Sequence, residues 1–194
     1  MSRGKTNPFP TFQFALLGLL LPGATYGYEL HKQLSDQTGI GLIWQVKLSN
    51  VYAVLEQLQE KGWLTAMLLP GDTRPGRKMY QITDTGKAAF EEWLDSPVTH
   101  PREFRQEFMV KLYFHDTQKP AGVPAFLRSQ LTHCRVWLKD LRKPNAVTAS
   151  DSRFHLSVMQ FRKSQIKSMV DWLEKELGKT ENAIPINEVR NEEK

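Results

Sequence analysis

Residues 73–83, TRPGRKMYQIT, set three cations, Arg74, Arg77 and Lys78, around a proline and a glycine and then pass into alternating apolar residues. Positive charge at a bend that no core can use is suited to phosphate. Each Lys or Arg that neutralises one DNA phosphate adds about 0.9 to the slope of log affinity against log salt. A second polar group lies upstream, in KLSNVYAVLEQLQEK (47–61). There Val51, Val54, Leu55 and Leu58 recur at helical spacing, which leaves Ser49, Ala53 and Glu56 opposite and Asn50 and Tyr52 at the flanks. Small outward residues with donors and acceptors suit a helix start that enters a major groove about 12 Å wide, where Asn50 has the amide to pair with adenine. Lys47 sits just ahead, and the unpaired backbone N–H groups of a helix start favour a phosphate. Glu56 marks where such contact ends. The candidate DNA-contacting set is therefore Lys47, Ser49, Asn50, Tyr52, Ala53, Arg74, Arg77 and Lys78, with Tyr28 as a further hydroxyl. Each has a plainer reading: a solubilising loop for the cations, N-capping for Ser49, and half-buried packing for Tyr28 and Tyr52.

Other chemistry finds no foothold. Five histidines (31, 100, 115, 133 and 155) and Cys134 are too scattered for a metal site, and the adjacent His133 and Cys134 point different ways on a helix. No GxGxxG, P-loop, GxSxG or HExxH pattern is present, so the reading is a protein without enzymatic activity, cofactor or metal. One cysteine excludes an intramolecular disulfide framework and fits a reducing compartment, so a cytoplasmic location is expected. A cleavable signal peptide is the rival, since Arg3 and Lys5 precede FALLGLLL (14–21), but its removal would delete the first helix of a coherent pattern. No apolar run approaches the ~18 residues that cross a bilayer. Formal net charge is +5, yet residues 1–97 hold nine basic and nine acidic residues, against 17 and 12 in the rest. A nucleic-acid reading must then rest on a local basic face.

The elements that would position these residues follow from periodicity and punctuation. A short apolar helix over 11–20 closes at Pro22-Gly23; Thr25 caps a helix over 26–38 that Gly39 and Gly41 stop. Ser49 caps a third helix, and Gly62 supplies its left-handed stop. A strand over 63–69 is expected to turn Leu64, Ala66 and Leu68 to one face, and its partner over 78–83 alternates Tyr80 and Ile82 against Met79 and Gln81. Thr83 caps a helix that Pro97 ends. Helix, helix, helix, strand, strand, helix is the order of a winged helix-turn-helix, with the arginine-bearing bend as wing tip.

From Glu103 the pattern is helical throughout. Phe104, Phe108 and Leu112 lie four apart; Leu127, Leu131, Cys134, Leu138 and Leu141 step at heptad spacing; a last helix over 153–177 carries Ile166, Val170, Leu173 and Leu177 and ends at Gly178. The fold class expected is mainly α: a winged helix-turn-helix DNA-binding domain (1–99) with a small β-hairpin wing, a C-terminal α-helical dimerisation domain (100–178), and a polar, disordered tail (179–194). One winged helix reads one half-site, so Leu127, Leu131, Leu138, Ile166, Val170, Leu173 and Leu177 are assigned to a homodimer contact, against the plainer reading that they complete a monomeric core. Trp93, Phe108, Tyr113 and Trp137, near the domain junction, are candidates for a small aromatic effector, against ordinary core burial.

The runs ALLGLLLPGATYGYELHKQL, KLSNVYAVLEQLQEKGWL and RPGRKMYQITDTGKAAFEEWL resemble the PadR family of bacterial winged-helix transcriptional regulators, and PREFRQEFMVKLYF is similar to the start of its C-terminal helical domain. The likeness spans roughly residues 12–115. It implies a homodimer that binds double-stranded operator DNA, usually as a repressor and sometimes relieved by a small molecule; a palindromic operator is the expected partner. One departure is the wing, TRPGRK where members often show a glycine-rich GRPRK-like tip. The alternative is a winged-helix module that binds an acidic protein through its wing, a reading that the neutral N-terminal half keeps open.

Overall fold

The structure, a computed structural model, describes residues 10–69, 77–141 and 152–182. In chain order it runs α1 (Pro10–Leu20), β1 (Thr25–Tyr26), α2 (Gly27–Ser35), a 3₁₀ turn (Gly39–Leu42), α3 (Leu48–Glu60), β2 (Leu64–Leu69), β3 (Arg77–Ile82), α4 (Asp84–Asp95), two irregular helical turns (Pro101–Glu103 and Phe104–Phe108), α5 (Met109–Gln118), a 3₁₀ turn (Pro120–Gly122), α6 (Val123–Asp140) and α7 (Arg153–Asn182). It forms two compact units. One takes the described residues up to Ser96 together with Arg105–Phe114; the other takes Pro97–Phe104 and the described residues from His115 on.

The first unit is built around α1, which is apolar on nearly all sides and for that reason sits inside. Leu16, Leu17 and Leu20 are wholly buried, and Val51, Val54, Leu55 and Leu58 of α3, Leu30 and Leu34 of α2, and Phe90 and Leu94 of α4 belong to the same core. Val110 and Phe114 of α5 join it, Phe114 edge-on to Phe90 at 5.2 Å. This is why 105–114 belongs to the first unit and why the division differs from a single cut at 99/100.

A three-stranded antiparallel sheet in the order β1-β3-β2 closes the unit, with Thr25 opposite Tyr80 and Ala66 opposite the same Tyr80 from the other side. Thr25 is thus a strand residue, and the N-cap of α2 is Tyr26; two residues are too few to show a period of two. Tyr80 and Ile82 are buried as their alternation requires, but Leu68 is 64% exposed and Met67 61%. Beyond Ala66 the hairpin leaves the core, so alternation there has nothing to pack against.

Caps explain the other boundaries. Lys47, not Ser49, is the N-cap of α3: its carbonyl accepts from Asn50 N–H at 3.0 Å, and Ser49 already lies in the first turn. Gly62 takes a left-handed φ of 71° and ends the helix. Thr83 caps α4, accepting from Gly86 N–H at 3.1 Å and donating to Gly62 O at 2.8 Å. Gly178 does not stop α7, which runs on to Asn182; nothing there demands a left-handed turn.

The second unit is a helix pair. Leu127, Leu131 and Cys134 of α6 and Ile166, Val170, Leu173 and Leu177 of α7 are buried where α6 packs along α7, and Leu138 is half-buried. Buried Gln130 ties the 97–104 segment to α6, accepting from Val98 N–H at 2.9 Å and donating to Val98 O at 3.3 Å. The residues assigned to dimerisation other than Leu138 are therefore buried within one chain, because a heptad seam between neighbouring helices has the same spacing as one between copies. What α7 leaves uncovered is Phe154, Leu156 and Phe161, exposed at 76%, 60% and 63%.

Candidate nucleic-acid interface

α3 buries Val51, Val54, Leu55 and Leu58, which fixes the opposite face outward: Ser49, Asn50, Tyr52, Ala53 and Glu56 are exposed, as is Lys47. The approach to this helix is pinned from α2. His31 Nε2 lies 2.9 Å from Val46 O, a carbonyl that can only accept, so the ring carries its proton on Nε2. Ser35 Oγ is 3.2 Å from the same nitrogen. Val46 directly precedes the N-cap, so this contact sets where the helix begins.

The wing base packs beside that helix. Tyr80 of β3 is 2% exposed, and its phenol is pushed above its usual range by burial first and then by Tyr52 and Glu56. The strand of the hairpin that packs against α3 is β2, and β3 is hydrogen-bonded to β2 on its far side and packs on α1 and α2. Arg77 and Lys78 begin the same strand and are exposed, two to three residues, or about 7–10 Å, from Tyr80. Arg74 and the rest of the tip lie outside the described residues. Tyr28 is 58% exposed and follows Gly27, against which the Tyr52 ring packs. Lys47, Ser49, Asn50, Tyr52, Ala53, Tyr28, Arg77 and Lys78 thus belong to one unit and are exposed on it. Periodicity could not point to Gly27 or His31, whose roles depend on contacts between helices; Leu42 and Leu48, exposed at the turn and at the start of α3, went unread for want of a polar group.

Three of the four effector candidates are held by packing within the first unit. Trp93 stacks on Phe14 at 4.7 Å and donates its indole N–H to Glu107 Oε1 at 3.0 Å. Glu107 also accepts from Thr11 at 3.2 Å and pairs with Lys111 at 3.0 Å; Lys111, 1% exposed, donates to Ser96 O at 2.7 Å and lies 4.8 Å from the Trp93 ring centre. Phe108 is fully buried, Tyr113 lies edge-on to Phe114 at 5.2 Å, and Trp137 belongs to the second unit. Packing accounts for Trp93, Phe108 and Tyr113. Among the described residues no His, Cys, Asp or Glu cluster is placed to hold a metal ion, and no helix is long and apolar enough to cross a membrane.

A helix-turn-helix whose second helix lies beside a β-hairpin wing defines a winged-helix protein. Residues 16–92 match the model of the transcriptional regulator PadR-like family, and residues 104–180 match that of the virulence activator alpha C-terminal region. The chain is 27% identical to the negative transcriptional regulator PadR of Bacillus subtilis over 172 residues, 84% of this chain and 93% of that one. It is 30% identical to a probable transcriptional regulator of Mycobacterium tuberculosis over 91 residues, 47% of each chain. Among solved structures, Bacillus subtilis PadR in complex with operator DNA is similar with a TM-score of 0.45 and 28% identity, covering 88% of this chain and 99% of that one. The chain belongs to the PadR-like family of transcriptional regulators, a class of DNA-binding proteins and not of enzymes.

Proposed function

We propose that this regulator binds a palindromic operator as a homodimer in the cytoplasm and represses transcription from it. The first two turns of α3 read base edges through Ser49, Asn50, Tyr52 and Ala53. Lys47, Tyr28, Arg77, Lys78 and Arg74 hold the flanking phosphates. The observation that carries this reading is that Ser49, Asn50, Tyr52 and Ala53 stand exposed on α3 while β2, the hairpin partner of the strand bearing Arg77 and Lys78, packs against the same helix. Repression draws support from the relative named a negative regulator. For the dimer, the uncovered Phe154 and Phe161 of α7, seven residues apart and so on one side of the helix, supply the apolar face, backed by the buried α6–α7 seam. A small aromatic effector would have to reach the partly exposed edges of Trp93, Tyr113 or Trp137, and tryptophan fluorescence across a panel of phenolic compounds tests it: a flat response removes the effector.

Selection from random duplexes, followed by mobility shift across a salt series, tests the main reading. The wild type should prefer a selected palindrome, and Arg77→Ala/Lys78→Ala should lower the salt slope by about 0.9 for each phosphate that is no longer neutralised. No preference over random duplex would overturn it and leave the acidic-protein reading, which the nine-to-nine charge balance of residues 1–97 keeps open.

A further inference from the structure

We infer that Gly27 is a positioning residue for DNA reading: its bare backbone seats the Tyr52 phenol on the reading surface. This role rests on the DNA-binding function proposed above. Gly27 is the first residue of α2 and is buried. Its backbone is not among the left-handed glycines, which are Gly23, Gly39 and Gly62, so conformational freedom is not the reason for glycine here. Space is. A Cβ on residue 27 would stand 2.6 Å from Tyr52 Cε1, 3.1 Å from Tyr52 Cζ and 3.3 Å from Leu55 Cδ1. The first two atoms belong to the outer half of the ring, next to the hydroxyl.

The other boundary of the seat is the wing. Gly27 follows Thr25 by two residues, Thr25 pairs with Tyr80 of β3, and α2 itself packs against β3. Tyr52 therefore lies where the start of α2, the outer side of α3 and the wing base converge, with 38% of its surface open. A tyrosine side chain has only two rotatable angles, so its hydroxyl goes where the ring is allowed to lie. A methyl group at position 27 moves the ring tip, which can swing into solvent at small cost to the fold. The hydroxyl, and the DNA it would touch, part company. Stability and binding, which fall together when a core glycine is replaced, should come apart here: Gly27→Ala should leave stability near the wild type and spoil binding.

Four proteins decide it: wild type, Gly27→Ala, Tyr52→Ala and the double variant, each measured for thermal unfolding and for affinity to the selected operator. Gly27→Ala should weaken affinity about tenfold, the scale of one mismatched base pair in a protein–DNA interface. In the Tyr52→Ala background the same change should cost nothing further, since there is no ring to displace. Wild-type affinity in Gly27→Ala, or effects that multiply in the double variant, would overturn the inference. If Gly27→Ala unfolds too readily to assay, the thermal cycle decides: destabilisation relieved by Tyr52→Ala supports the seat, and undiminished destabilisation refutes it. If the wild type selects no duplex, the DNA reading fails while the thermal cycle still reports on the seat.

Discussion

The first unit closes its core around α1, with contributions from α2, α3, α4, the sheet and α5, whereas the second packs α6 along α7, with Val98 and Phe104 also buried, and leaves Phe154, Leu156 and Phe161 in water. Full burial of such side chains is worth about 1.5–3 kcal/mol each, so the uncovered face of α7 is a large unused driving force. In the first unit the exposed surface is instead mostly polar over the outer face of α3. The contrast teaches that the first unit turns the polar side of a core helix outward, with Leu42, Met67 and Leu68 exposed away from it, while the second leaves aromatic side chains uncovered along its longest helix. Between residues 153 and 170 α7 carries four cations, Arg153, Arg162, Lys163 and Lys167, and no acidic residue. Copies meeting through this segment would do so by apolar contact against like-charge repulsion.

The largest effects should come from the two cores themselves. Leu55→Ala in the first unit and Leu173→Ala in the second each remove a wholly buried side chain and should cost about 2–5 kcal/mol, read from denaturant midpoints. An equal cost from a change at Phe161 would break the contrast, because a solvent-exposed side chain in the monomer has no core to lose. Next comes the face of α7. Phe154→Ser/Phe161→Ser should weaken the proposed dimer by about a hundredfold, roughly 3 kcal/mol, with the unfolding midpoint of the monomer little changed, as measured by sedimentation over a dilution series. Added salt should tighten the dimer by screening the four cations while it loosens DNA binding, so opposite salt responses of the two equilibria would sharpen the comparison. A dimer unaffected by the double change would place the subunit contact elsewhere.

The smallest effect concerns pH. Burial pushes the Cys134 thiol up to about 11, against a smaller lowering by the Gln130 side chain. The unfolded thiol ionises first, from about 9, so the unfolded state binds fewer protons through that window and stability falls as pH rises from about 9 to about 11. Below 9 the thiol has no effect on the slope. Comparing wild type with Cys134→Ala by chemical denaturation at stepped pH isolates it, and parallel curves through the window would show that the thiol titrates alike in both states.

Much of the first unit was legible in the chain. The buried face of α3, the Thr83 cap, the Gly62 stop and the Tyr80/Ile82 alternation rest on contacts within four residues or across one hairpin, and such contacts leave a period or a fixed offset in the chain. The candidate interface was legible to the same degree, since burying Val51, Val54, Leu55 and Leu58 turns Ser49, Asn50, Tyr52 and Ala53 outward. What went unread was contact between distant segments. β1 exists because Thr25 finds Tyr80, 55 residues away in sequence. Leu68 stays exposed because the hairpin outgrows the core. Lys111, one turn after Glu107, has the spacing of an exposed helix cation and is instead buried on Trp93 and Ser96.

Taken alone, the sequence determined which stretches are helical, which faces are apolar, and that compact polar residues begin α3 while cations flank the wing, because these properties depend on steric preferences and hydrogen bonds between near neighbours. Tertiary structure decided what each apolar face meets: α5 joins the first core, the α6 heptad meets α7 of the same chain, and Gly27 meets Tyr52. A hydrophobic face is attracted to any other without direction, so its pattern announces that it must be covered and leaves the choice of cover to the shape of the whole.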